Sequence, residues 1–268
     1  MKIKVALAGA YGNLGSDIFK ELIKKGHSVV ALDINERDLG LTGDYCFHKI
    51  DVTDKSTLKG LFDGVDVVIT TVGLTKTSAT VTNYQIDYEG NLNILNEAKK
   101  AGVKNFAYIS VIKADKAPKV PMLHAKYLFE EELKQSGIDY CIFRPTGYFY
   151  DIVKVFRPMI EKGEVTLLGN KPVHENVIST EDFASFITDH MCDKNKTYDI
   201  GGKESVIKKA PPFLFDVLAW VNKRKKNGKE AILRFSKWTL TEEMVGSTKY
   251  GDMSFKKYIE DSFKKEHK

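Results

Sequence analysis

Three glycines, Gly9, Gly12 and Gly15, recur at a spacing of three immediately before Ile18, Phe19, Leu22 and Ile23, which repeat at helical intervals. A helix N-terminus presents unpaired N–H groups and a partial positive charge, and glycines without Cβ let a phosphate approach them closely. The same spacing also suits a tight turn packed against a helix with no ligand at all. A second set of candidates is Ser110, Met122 and Lys126. A strand-end hydroxyl can polarise a substrate oxygen, and a lysine can hold a sugar hydroxyl or assist a proton transfer, whereas a thioether gives up no proton. Their plain structural readings are a serine capping a turn and a lysine on a solvated helix face.

The elements that position these residues decide between the readings. Val5 and Leu7 lie in a short uncharged apolar run, which suits a strand buried on both faces of a parallel sheet, so the glycines sit where a strand hands over to a helix. Ser28 to Leu32 is a second such run and stops at Asp33, where a Rossmann fold places the acid that holds the adenosine ribose. Together these features predict a dinucleotide site. Gly9, Tyr11, Gly12, Asn13, Leu14 and Gly15 surround the pyrophosphate, and Asp33 takes the ribose. The acid favours NAD(H) over NADP(H), because a 2'-phosphate beside it sets two like charges together; Arg37, four residues on, is placed to relieve that repulsion.

A third strand, Tyr45 to Ile50, leads into Asp51-Val52, read either as the adenine contact or as a cap for a helix through Leu58, Leu61 and Phe62. Asp66 to Thr71 is a fourth strand, and Thr71, Val72 and Gly73 form a small-residue turn beneath the middle of the cofactor. Tyr84, Tyr88, Leu92, Leu95 and Ala98 predict one helix over Thr82 to Ala101, and Asn105 to Ile109 a fifth strand closed by Ser110. Pro121 fits the first turn of a helix that carries Met122 and Lys126 on one face and ends near Gly137. Asp139 to Phe143 is a sixth strand, followed by Arg144, the cofactor candidate Pro145, and the aromatics Tyr148, Phe149 and Tyr150, read as core or as a flat pocket. The alternation defines an α/β, doubly wound parallel sheet of about seven strands in the order 3-2-1-4-5-6-7, with helices on both faces. The chain is expected to be a single domain, with residues 1–146 as the cofactor-binding core and 147–268 as an elaborated substrate-side region.

Of the 268 residues, 43% are hydrophobic and 29% charged, ordinary proportions for a globular protein. No run approaches the length of a membrane span, and the first strand begins at Ile3, so a cytoplasmic protein is expected. From Lys203 onward 16 Lys or Arg face 9 Asp or Glu, a local +7 within a net +5. The basic run at residues 223–226 has no aromatic interleaving, which favours a solvated helix face over nucleic-acid binding. Cys46, Cys141 and Cys192 show neither a disulfide framework nor a metal-ligand spacing and are expected to be buried free thiols. His174 falls in an expected loop with no partner apparent in the sequence.

With these residues in place the sequence resembles the short-chain dehydrogenase/reductase superfamily, in its atypical branch of NAD(P)-binding proteins similar to NmrA. The resemblance rests on the glycine pattern, Asp51-Val52, Ser110, Lys126 and Arg144 to Phe149, on Asn176 to Asp182, and on Tyr198 to Gly202. It implies Ser110 and Lys126 as the catalytic residues. The superfamily's Tyr-x-x-x-Lys has Met122 in the tyrosine position, which removes the usual proton donor. His124 and Tyr127 point away from the Met122–Lys126 face of the helix. An NAD(P)H-dependent reductase of a small carbonyl, enone or quinone is therefore weighed against a non-catalytic module that senses cofactor redox state and reports it to a protein partner. A nucleotide-sugar epimerase or dehydratase is disfavoured, since those reactions in the superfamily lean on the tyrosine. No nucleic-acid or membrane partner is expected, and the chain is expected to be a monomer or homodimer.

Overall fold

The computed structural model of the chain describes residues 2–74, 80–154, 173–204, 206–208 and 229–264. Its first five strands are β1 (Lys4–Ala8), β2 (Ser28–Asp33), β3 (Tyr45–Lys49), β4 (Val67–Thr70) and β5 (Asn105–Ile109). They are followed by β6 (Asp139–Pro145), β7 (Val173–Glu175), β8 (Lys196–Gly201), β9 (Val206–Lys208) and β10 (Thr248–Lys249). Eight of these form one sheet in the order β10-β8-β6-β5-β4-β1-β2-β3 with every neighbouring pair parallel. The expected order of the first six strands is observed. Two strands of the C-terminal half extend the sheet beyond β6, one more than expected, because residues 248–249 return to pair with Ile200 and Gly201. β7 and β9 pair antiparallel outside the sheet.

The strands form where short apolar runs can be covered on both faces. On one face α1 (Asn13–Lys24) buries Leu14, Ile18, Phe19 and Leu22, spaced as one helical stripe, and packs beside α4 (Thr180–His190). Ser179 caps α4 by accepting from the Asp182 N–H at 3.0 Å, and Lys25 bonds Thr188 and Asp189 to join the two helices. On the other face lie α2 (Asn91–Lys100) and α3 (Pro121–Gln135), which cover Val68, Phe106, Tyr108 and Ile142. α5 (Lys229–Thr241) sets Trp238 against the start of α3, and α6 (Phe255–Lys264) packs Phe255 and Tyr258 on Phe149.

Four local expectations are corrected. The helix expected after Asp51 is a short 3-10 turn, Lys55–Leu58, capped by Asp54, and the chain continues in turns. The helix expected over Thr82 to Ala101 is π-helical at Tyr84–Gly90 and only then α-helical. Cys141 is a buried thiol, but Cys46 and Cys192 are exposed: Cys46 lies on the edge strand β3, and Cys192 follows the last turn of α4. His174, expected in a loop, lies in β7. The basic run 223–226 lies outside the described residues.

Candidate functional site

β1 ends at Ala8 and the glycine turn begins. Gly9 has φ +79°, and a Cβ there would stand 2.4 Å from Thr71 Oγ1. A Cβ on Gly15 would stand 1.9 Å from the Gly9 carbonyl oxygen, so both glycines are required by the protein's own packing. Gly12 is different. It is exposed, its nearest neighbour would be the Gly9 oxygen at an ordinary 3.4 Å, and it begins an α1 with no side-chain cap and no acid in its first turn. Among the described residues no side chain fills that space or caps the first turn of α1, which fits a pyrophosphate.

Asp33 Oδ2 accepts from the Tyr11 N–H at 2.8 Å and Oδ1 from the Ile34 N–H at 2.7 Å, so the acid ties the end of β2 to the glycine turn. Tyr11 and Leu14 are buried in the α1 face of the core, the Tyr11 ring edge-on to Phe19 and Phe47, while Asn13 is exposed and hydrogen-bonds Tyr150. Arg37 Nη2 donates to Ser16 Oγ at 3.2 Å, beside the first turn of α1. Asp51 Oδ1 accepts from the Thr53 N–H and hydroxyl, closing a turn ahead of the Asp54-capped Lys55–Leu58, and Val52 is buried beneath Gly90 with Asn93 donating to its carbonyl. Ile34, next to Asp33, is a large apolar side chain left 61% exposed at this carboxyl edge.

Thr71, Val72 and Gly73 link the glycine turn to the second group of residues. The Thr71 N–H donates to the Ala8 carbonyl at 2.9 Å, its hydroxyl lies 3.1 Å from the Gly9 oxygen, and Asn91 donates to the Val72 carbonyl. A Cβ on Gly73 would stand 2.8 Å from Asp87 Oδ1 and 3.2 Å from Lys126 Nζ. Those two atoms form an ion pair at 3.2 Å, with Asp87 1% and Lys126 12% exposed. Asp87 Oδ2 also accepts from Asn83 and from the Leu74 N–H, and Lys126 donates to the Ile109 carbonyl at 3.3 Å and rides 5.4 Å from the Tyr108 ring centroid. Ser110 follows directly; its Oγ is buried without a hydrogen-bond partner among the described residues, as is the Tyr108 hydroxyl. Burial, with Asp87 and Glu130 nearby, pushes the Tyr108 phenol well above its usual range.

α3 is held against β6 by Arg144, which donates to the fully buried Glu130. Pro145 is buried and its carbonyl accepts from Ile112. Met122 packs with the cluster of Ile112, Leu123, Trp238 and Met244, and His124 turns away to Tyr84, whose hydroxyl lies 2.9 Å from its Nδ1. Of the three aromatics after β6, Phe149 is core; Tyr148 and Tyr150 are half-buried and stacked at 5.4 Å, and burial raises both phenols. Asp87 was not singled out in the sequence, although it lies three residues after Tyr84 and four before Asn91, on the side of the helix that Ala98 shares. It lies in the π-helical turn, where Tyr84 is exposed and Asp87 is buried.

A parallel sheet with its first strand central, a glycine turn into an uncapped helix and an acid closing the second strand define a Rossmann-type dinucleotide-binding protein. The family model described as NAD(P)H-binding matches residues 9–194, and the chain belongs to that family, in the atypical, NmrA-like branch of the short-chain dehydrogenases/reductases. The chain is 28% identical over 188 residues to a photosystem II assembly factor, Ycf39, of Synechocystis, covering 69% of this chain and 57% of that protein. It is 33% identical over 221 residues to the chloroplastic divinyl chlorophyllide a 8-vinyl-reductase of Arabidopsis thaliana, covering 72% of this chain and 51% of the relative. The chain thus spans little more than half the length of these curated relatives. The fold is shared with the NADPH complex of the quinone oxidoreductase QOR2 from Escherichia coli, with TM-score 0.71, 18% identity, and 97% and 99% of the two chains covered. No helix among the described residues is long and apolar enough to cross a membrane.

Proposed function

We propose that the chain is an NAD(P)H-dependent oxidoreductase that reduces a small electron-poor acceptor, an enone, quinone or activated carbonyl. The observation that carries this reading is the buried Ser110 hydroxyl, without a hydrogen-bond partner among the described residues, at the carboxyl end of β5, one residue from the carbonyl that receives Lys126. A buried hydroxyl without a partner costs free energy, and a substrate oxygen placed there would supply the partner. Gly9, Tyr11, Gly12, Asn13, Leu14 and Gly15 would hold the pyrophosphate, and Asp33 the adenosine ribose. Asp51 and Val52 would meet the adenine, with Thr71, Val72, Gly73, Pro145 and Lys126 along the rest of the cofactor. When bound, the nicotinamide supplies a hydride. Ser110 then orients the acceptor oxygen, and Lys126, kept close by Asp87, adds positive charge beside it. Met122 offers no proton, so the acid comes from water, and acceptors that need little acid assistance are preferred.

The favoured cofactor is NAD(H), because Asp33 would stand against a 2'-phosphate. NADPH binding more tightly than NADH in calorimetry would overturn that preference. The relatives' names support both a reductase and an assembly role. The packing of Met122 against the Trp238 cluster, where a reductase of this superfamily carries its tyrosine, favours a second reading as a cofactor-responsive regulatory module. One assay separates them. Wild type and Met122→Tyr are mixed with NADH and a panel of enones, quinones and simple ketones. Slow oxidation by the electron-poor acceptors and far less by ketones is expected. If NADH binds but neither protein turns over any acceptor, the regulatory module replaces the reductase.

A further inference from the structure

β3 is the edge of the sheet, and its outer side is open among the described residues. The Val29 N–H donates to the Asp44 carbonyl and the Ile50 N–H to the Asp33 carbonyl, so even-numbered residues of this segment turn their backbone groups toward β2. The backbone groups of Tyr45, Phe47 and Lys49 therefore face outward and are available to another strand. Cys46 and His48 project from the same sheet face, both exposed, with Sγ and Nε2 3.7 Å apart.

That separation matches a shared metal ion. Zinc bonds of ~2.3 Å to sulfur and ~2.0 Å to nitrogen, at the tetrahedral angle, put the two ligand atoms about 3.5 Å apart. One chain supplies only half of such a site, and among the described residues no group of three or more His, Cys, Asp or Glu side chains could hold a metal. A second copy completes it. In antiparallel pairing about a two-fold axis at Phe47, the outward backbone groups of Phe47 and of Tyr45 with Lys49 exchange hydrogen bonds across the axis. Cys46 then falls opposite His48 of the second copy in a non-hydrogen-bonded pair, where Cα atoms approach to ~4.5 Å. No like charges are directly opposed, since Lys49 meets Tyr45. We propose that two copies of this chain join through their β3 edges around one zinc ion held by both Cys46 thiolates and both His48 imidazoles. Each thiol releases its proton on binding, and the two thiolates balance the ion's charge.

The test titrates the purified full chain with zinc sulfate while its mass is followed by light scattering. Saturation at one zinc per two chains, a doubled mass that a chelator reverses, and a thiolate charge-transfer band with tetrahedral absorption when cobalt(II) replaces zinc are expected. Cys46→Ser and His48→Ala should abolish all three. Zinc should also shield Cys46 of the wild type from alkylation while the exposed Cys192 still reacts, a readout that needs no variant. Absence of zinc binding, one zinc per chain with no change in mass, or a dimer that persists without zinc or in both variants would overturn the proposal.

Discussion

Replacing Lys126 by methionine keeps most of the length of the unbranched side chain and removes its charge, leaving Asp87 as a carboxylate 1% exposed with only neutral donors, Asn83 and the Leu74 N–H. Removing one partner of a buried ion pair costs about 3–5 kcal/mol. The two remaining donors put Lys126→Met near the lower end, about 3 kcal/mol, which at a urea dependence of about 3 kcal/mol per molar lowers the midpoint by about 1 M. Asp87→Asn should cost less, about 1–2 kcal/mol, because the 12% exposed ammonium keeps some access to water. Urea unfolding of wild type, both single variants and the double variant closes a mutant cycle. The double variant should be more stable than the sum of the singles implies, by about 1–3 kcal/mol. Single effects that add to within about 0.5 kcal/mol would refute the claim that Asp87 and Lys126 act as a unit. In the same proteins Lys126→Met is expected to weaken NADH binding as well, whereas a purely structural lysine would leave it unchanged.

The glycines separate packing from ligand space. Gly12→Ala should fold with little loss of stability yet bind NADH at least about 10-fold more weakly, whereas Gly15→Ala should be strongly destabilised, since its Cβ would lie 1.9 Å from a carbonyl oxygen. Asp33→Ala should weaken NADH more than NADPH by calorimetry, together with some loss of stability from the freed Tyr11 and Ile34 N–H groups. The Asp193 carboxyl is held below its usual 3.8 by the Tyr198 hydroxyl and by His190. Its contribution is therefore present above pH 3.8 and lost as pH falls through the lower folded value. Unfolding curves from about pH 5 to about pH 2 should show this loss in wild type and a shallower one in Asp193→Asn.

β1, β2, β4 and β5 were legible because each is a short apolar run ending at a polar or small residue, and β5 falls where its pattern puts it, at Asn105–Ile109. Gly9, Gly15 and Asp33 were legible because one local motif carries them. The Asp87–Lys126 pair was not, because it joins the turn before α2 to α3, a contact between elements distant in sequence that no local motif marks. Thiol exposure at Cys46 depends on β3 being an edge strand, which follows from strand order rather than from neighbouring residues. The final strand is two residues long and carries no apolar pattern; what places it is a contact from elsewhere, Asn176 Oδ1 accepting from the Gly246 N–H.

The order of the strands also sets a clock during synthesis. β6 pairs with β5 as soon as Pro145 is made, but its other edge stays open until β8, whose first residue is Lys196, has followed it. At about 5–20 residues per second that edge is bare for about 3–10 s on the ribosome, longer than most local folding steps take. Ile142 and Phe143 line it, so a chain halted between Pro145 and Lys196 would present an apolar strand edge ready to pair with a neighbour. Yield in the cell should therefore be sensitive to stalling in this interval and to chaperone supply, even where the finished protein is stable.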